Sequence, residues 1–332
     1  MRTANITATC ALTAVHDWPV HATSLATILY RYLYDNAHDA DARMIYTAAL
    51  AAGRRTGDHP AHSRTLADLG WLSFGRGSYP DAMAYFEQAL EHAVAAGDDT
   101  GQARAQHGMA SVHQQRRNDA EALKGFTAAL ELFRGQDDRF GQAVALNSLG
   151  AMHEEAGRYA DALHDLTRAR ELFRGLGTAG GETDVLNNLG KVHRRQGRLS
   201  DAHDSHQQAL QTYRQFGIRR GEARSLNGLA AVAADAGDLD QAGEHYQAAL
   251  TVARDVGNQL EQARAHEGLA QILQGRSRAV RHHAEQALSL YAQLGEPEPE
   301  GLRRGRTEPD DAEGEADAAQ RAAPGRSRPD KP

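Results

Sequence analysis

A 40-residue period constrains this chain more than any other feature. The segments Leu146 to Ala162, Leu186 to Ala202 and Leu226 to Ala242 repeat one pattern at 40-residue intervals, and a motif recurring at a fixed period is a building unit before it is a site. The same shift aligns Leu29, Leu69, Met109, Leu149, Leu189, Leu229 and Leu269. Two columns are small, Ala42, Ala82, Ala122, Ala162, Ala202, Ala242 and Ala49, Ala89, Ala129, Ala169, Ala209, Ala249. Between them runs a mostly large column of Tyr46, Phe86, Phe126, Leu166, His206 and Tyr246.

Within one unit, Leu146, Leu149, Gly150 and His153 recur at i, i+3, i+4 and i+7, and Ala162, Leu166, Ala169 and Phe173 repeat that spacing after a break at Gly157. The spacing predicts two amphipathic helices. Gly57, Gly97, Gly177, Gly217 and Gly257 are placed to take the left-handed conformation that closes a helix. Gln102, Gln142, Glu182 and Glu222 then fall near the next helix start, where they suit its dipole. Neither helix of such a pair can bury its apolar face alone, so pairs must stack into a quasi-one-dimensional solenoid. Small columns let neighbouring helices approach closely while the large column fills the groove between them.

The unit resembles the tetratricopeptide repeat, with Leu146, Leu149, Gly150, His153, Gly157, Tyr159, Ala162, Leu166 and Ala169 following that pattern in order and spacing. Histidine replaces the first aromatic at His113, His153 and His193, and the unit exceeds the usual 34 residues. The resemblance implies an all-α, right-handed superhelical solenoid of antiparallel helix pairs. Residues 23–295 are expected to form seven pairs, 1–22 an N-terminal half-repeat acting as a cap, and 296–332 a disordered charged tail whose composition cannot support a core. The repeat wording, including "RGEARSLNGLA", is also similar to the C-terminal sensor arrays of actinobacterial antibiotic-production regulators and NB-ARC signalling ATPases.

Composition narrows function. A formal charge of -7 disfavours a general nucleic-acid or anionic-membrane binder. Cys10 is the only cysteine, lysine occurs only at Lys124, Lys191 and Lys331, and no segment approaches 18 uninterrupted apolar residues. A soluble, cytoplasmic protein is expected. "GLGTAG", Gly175 to Gly180, satisfies G-x-G-x-x-G, but it follows a helix and not the strand that a dinucleotide loop requires. His206 lies in the packing column, His153 lacks the second histidine of H-E-x-x-H, and Cys10 falls beside Ile6 in an apolar column. The chain is therefore read as non-enzymatic, with no cofactor and no metal.

What remains is the first-helix stripe beside the packing face, which in tetratricopeptide arrays lines the concave groove. Here it carries Asn147, Asn187 and Asn227 in one column, Arg104 and Arg224 in another, with Lys191, Arg194, Arg195 and Trp71. Asparagine is a poor helix-interior residue, and amides with arginines suit a peptide backbone and its carboxylates. The expected function is a protein- or peptide-binding scaffold or regulatory sensor whose partner is acidic or carboxylate-bearing. The alternative is a receptor for a small molecule or signalling peptide, resembling the bacterial tetratricopeptide quorum sensors. A solvated face with no ligand is the bland reading of the same residues. Apolar array ends near Ile6 and Tyr291 are a further expectation, as surfaces through which a homodimer would form.

Overall fold

The computed structural model describes residues 24–26, 28–29, 39–273, 278–299 and 301–302. Among these, thirteen long helices follow one another. They are α1 (Asp39–Thr56), α2 (His59–Gly75), α3 (Tyr79–Ala96), α4 (Asp99–Gln115), α5 (Asp119–Gly135), α6 (Arg139–Glu155), α7 (Tyr159–Gly175), α8 (Ala179–Arg195), α9 (Leu199–Phe216), α10 (Arg219–Asp235), α11 (Leu239–Asp255), α12 (Gln259–Ile272) and α13 (Arg278–Leu294). Each even-numbered helix packs most extensively on the helix that follows it, and first helices also touch the first helices of neighbouring pairs. The result is an all-helical solenoid.

The predicted columns are its core. Every alanine of both small columns from Ala42 to Ala249 has no exposed surface, and the large column from Tyr46 to Tyr246 is buried throughout. One close approach shows why glycine recurs on the first helices. A Cβ on Gly190 would lie 2.6 Å from His206 Nε2, so the His206 ring occupies the space that glycine leaves. His206 is thus a packing residue, and burial, with Lys191 and Arg194 adding to it, pushes its imidazole down to about 3.

Helix ends follow local chemistry. The five expected left-handed glycines all have positive φ, from 64° to 68°, while Arg117 (φ 58°) and Asp137 (φ 50°) hold the same conformation without being glycine. The caps differ from expectation. Asp58, Asp98 and Asp138 accept from Ala61 N at 3.0 Å, Gly101 N at 2.9 Å and Gly141 N at 2.9 Å, satisfying an orphan first-turn donor in each case. Glu182 and Glu222 instead bind arginines of the preceding helix, Arg174 at 2.6 Å and Arg214 at 2.9 Å. The first helices begin at 59, 99, 139, 179, 219 and 259, four residues before the positions that lie whole periods after the expected start at residue 23, because their capped first turns carry little apolar signal.

The C-terminal boundary also shifts. Leu302 is buried against α12 and α13 in a cluster with Ala263, Ala270, Ala287, Leu288 and Tyr291, so ordered packing extends past the expected end at residue 295. The half-repeat over 1–22, Cys10 and the remainder of the tail lie outside the described residues.

Candidate functional site

The first helices of successive pairs line the interior of the superhelix, and the superhelix closes on itself. Arg220 at the start of α10 donates from Nη1 to the carbonyl of Gly75 at 3.3 Å, across 145 residues of sequence. Tyr79 Oη donates to Glu296 Oε1 at 3.4 Å. Leu294 approaches so closely that a Cβ on Gly77 would lie 2.5 Å from its Cδ2. These contacts join the α2–α3 corner to α10 and to the end of α13, turning an open groove into a channel with two lobes.

One lobe, about 390 Å³, lies under the closure and is lined by Phe74, Tyr79, Asn147, Asn188, Arg220 and Leu294 among others. The other, about 840 Å³, opens past Tyr159, Arg194, Arg195, Asn227, Tyr246 and Glu267. A band of Glu155, Lys191, Arg224, Glu261 and Arg264 borders both lobes. The channel is therefore polar at its waist.

Most of that charge is already neutralised. Arg224 pairs with Asp184 and donates to Tyr213 Oη at 2.8 Å, while Tyr213 Oη donates to Asp184 Oδ1 at 2.5 Å. Burial, reinforced by Asp184, drives the Tyr213 phenol far above its ordinary range, so it stays a neutral donor. Arg264 binds Glu261 at 2.7 Å. Asn227 donates to the same carboxylate at 2.8 Å and to the Glu261 carbonyl at 3.0 Å. Burial alone would raise Glu261, but Arg264 and the Asn227 bond override it and hold the carboxyl below its usual value. Lys191 differs. Among the described residues its Nζ takes no hydrogen bond and no ion pair within 4.0 Å. Desolvation, then Arg264 and Arg224, push its ammonium down to about 8 against the opposing pull of Glu154 and Glu261.

The residues singled out in sequence are divided by this geometry. Lys191, Arg194, Arg195, Arg224, Asn147 and Asn227 all reach the channel. Arg194 is paired with Asp235 at 2.7 Å and Arg195 with Glu154 at 3.3 Å. Asn147 is half-buried and accepts from Asn188 Nδ2 at 2.9 Å. Asn187, expected to face the groove, is fully buried. Its Oδ1 accepts from His206 Nδ1 at 3.0 Å and from Ser225 Oγ at 3.1 Å. The correction has a packing cause, since Asn187 sits where α8 meets α9 and α10 and its amide satisfies polar groups there. Arg104 is exposed and lines a separate small cleft with Ser63, Arg64 and Asp98. Trp71 is half-buried, stacking edge-on against Phe86 at 5.3 Å and Phe74 at 5.5 Å, and borders neither lobe. Tyr291 is buried, with its hydroxyl donating to Glu267 at 2.7 Å, so the apolar end surface expected there is consumed by the protein's own packing. Ile6 lies outside the described residues.

Sequence reasoning missed Asp184, Tyr213 and Glu261. A signal existed for the first. Asp184 stands in the column of Arg64, Arg104, Arg224 and Arg264, where a carboxylate breaks the pattern of cations and is placed to meet the next one.

A family model described as "Tetratricopeptide repeat" matches residues 34–93, 101–175, 141–215 and 221–293. The chain matches no curated protein at a significant level. Among solved structures, the fold is similar to a Rap protein complexed with competence and sporulation factor (14% identity, 88% of this chain and 89% of that one, TM-score 0.63). It is also similar to the Rap conjugation gene regulator of plasmid pLS20 in complex with the Phr* peptide (13% identity, 89% and 96%, TM-score 0.58). A third is a signal transduction ATPase with numerous domains, bearing a tetratricopeptide repeat sensor, from Pyrococcus horikoshii (15% identity, 91% of this chain and 45% of that one, TM-score 0.58). At these identities the likeness is one of fold. Among the described residues no helix is long and apolar enough to cross a membrane.

Proposed function

Because the chain belongs to the tetratricopeptide repeat family, we propose that it is a non-catalytic regulatory module that holds a peptide segment with a free carboxylate inside its channel. The observation that carries this reading is Lys191, the channel cation with no hydrogen-bond or ion-pair partner among the described residues, set between the two lobes, one of which offers the amides of Asn147 and Asn188. A half-buried ammonium without a protein partner favours an anion, and the amides beside it can bond a peptide backbone. The Rap structure in complex with the Phr* peptide, and the one complexed with competence and sporulation factor, are consistent with ligand binding by an array of this fold.

The closure through Arg220, Tyr79 and Leu294 favours one version of this reading, a receptor for a short signalling peptide, over a scaffold gripping a long protein segment. Affinity-selection mass spectrometry on a synthetic library of short linear peptides tests it. Retained peptides should bind as free acids, weaken when the C-terminus is amidated, and weaken again as pH rises past 8 and Lys191 loses its charge. Extending a bound peptide at both ends should weaken binding, because the bridge from Arg220 to Gly75 and from Tyr79 to Glu296 spans the groove. Retention indifferent to amidation and to length would overturn the reading.

A further inference from the structure

Lys191 has a second capacity that anion binding does not use. Its amine borders both channel lobes and takes no hydrogen bond or ion pair among the described residues. A lysine set beside other cations becomes a nucleophile nearer neutral pH, and half-buried Lys191 has Arg224 and Arg264 as its neighbouring cations. The groups that act on it come from four other helices: Glu154 and Glu155 on α6, His206 on α9, Arg224 on α10, and Glu261 with Arg264 on α12. The cavity of about 840 Å³ admits a small molecule beside the amine.

We infer that Lys191 is a reactive amine that captures small anionic aldehydes as an imine inside the channel. The lone pair of neutral Nζ attacks the carbonyl carbon, and the carbonyl π pair moves to oxygen. The nitrogen loses its protons to solvent, the oxygen gains protons and leaves as water, and a C=N bond remains. Amine and aldehyde are thus balanced by imine and water, with no oxidant or reductant. The anionic group of the aldehyde is drawn by the cations at the waist, where Arg224 and Arg264 retain guanidinium N–H donors beyond those that bind Asp184 and Glu261. This inference rests on the cavity beside Lys191 and the cations around it, and not on the identity of any peptide ligand.

The chain supplies its own control, because its only other lysines are Lys124 and Lys331. Lys124 is 79% exposed on α5 and lies outside the channel. The full-length protein is treated at pH 7.5 with substoichiometric pyridoxal 5′-phosphate, reduced with borohydride, digested and mapped by mass spectrometry. Lys191 should carry at least about tenfold more label than Lys124, because a lysine of ordinary basicity is almost wholly protonated at that pH. Pyridoxal, which lacks the phosphate, should label Lys191 less than the phosphate ester does. Lys191→Arg should lose the label while keeping the helical circular-dichroism spectrum. Equal or greater labelling of Lys124, or equal labelling of Lys191 by the two aldehydes, would overturn the inference. Peptide binding without labelling would leave the proposed receptor intact and remove only the reactive amine.

Discussion

Arg104 and Arg224 occupy the same position of the repeat, three units apart, and the protein uses them differently. Arg104, in the first half of the array, is exposed beside a small cleft. Arg224, in the second half, is drawn into the channel waist by Asp184 and Tyr213. The residue one period earlier accounts for the difference. Arg104 follows another cation, Arg64, whereas Arg224 follows Asp184. The period fixes geometry, and departures from the column fix chemistry.

The largest effects should not distinguish the halves at all, because the scaffold is common to both. Leu69→Ala and Leu189→Ala remove buried leucines from equivalent positions and should each cost about 2–5 kcal/mol in urea unfolding. A loss confined to one half would show that the array is not the uniform stack described here.

The next effects should separate the halves. Arg224→Ala leaves Asp184 without its cation in a partly buried place and should cost about 1–3 kcal/mol. Asn187→Ala strands donors on His206 and Ser225 and should fall in the same range of about 1–3 kcal/mol. Arg104→Ala should stay within about 0.5 kcal/mol of wild type. Equal costs at Arg104 and Arg224 would break the comparison.

A pH series sharpens it further. The Lys191 ammonium is held down to about 8 in the folded protein, below the ordinary lysine value of about 10.4. Between these pH values the unfolded chain binds more protons, so stability should rise with pH from 8 towards 10. Lys191→Met should flatten that rise, which a urea midpoint measured at pH 7, 8, 9 and 10 would register. A gap between wild type and Lys191→Met that does not change with pH would contradict the lowered state of the amine, because the buried phenols of Tyr79, Tyr213, Tyr246 and Tyr291, which lower stability towards pH 10, act alike in both proteins.

The smallest effect concerns the backbone alone. Asp137 holds φ 50° where neighbouring units place glycine, so Asp137→Gly should stabilise the protein by up to about 1 kcal/mol. A thermal melt checks the sign, since destabilisation would mean that the Asp137 side chain contributes more than its strained backbone costs.

The scaffold was legible because packing repeats. Ala162, Leu166 and Ala169 meet the same neighbours in every unit, and a periodic sequence displays that directly. The channel was only partly legible. Lys191, Arg194 and Arg224 fall on the inner stripe, but the pairing of Arg194 and Arg224 depends on Asp235, Asp184 and Tyr213, which come from other helices. Asn187 misled for a related reason. It shares a column with Asn147 and Asn227, yet Tyr213 and His206 close over it, and a stripe drawn on one helix cannot show what the next helix covers. Closure was invisible in sequence, because Arg220 and Gly75 are brought together only by the accumulated turn of the superhelix.

The most direct test of the channel compares Lys191→Met with Arg104→Ala in one experiment, the calorimetric affinity of a selected free-acid peptide for each folded variant. Binding should be lost at Lys191 and unchanged at Arg104. Loss at Arg104 with full affinity at Lys191 would place the ligand outside the channel and contradict the account.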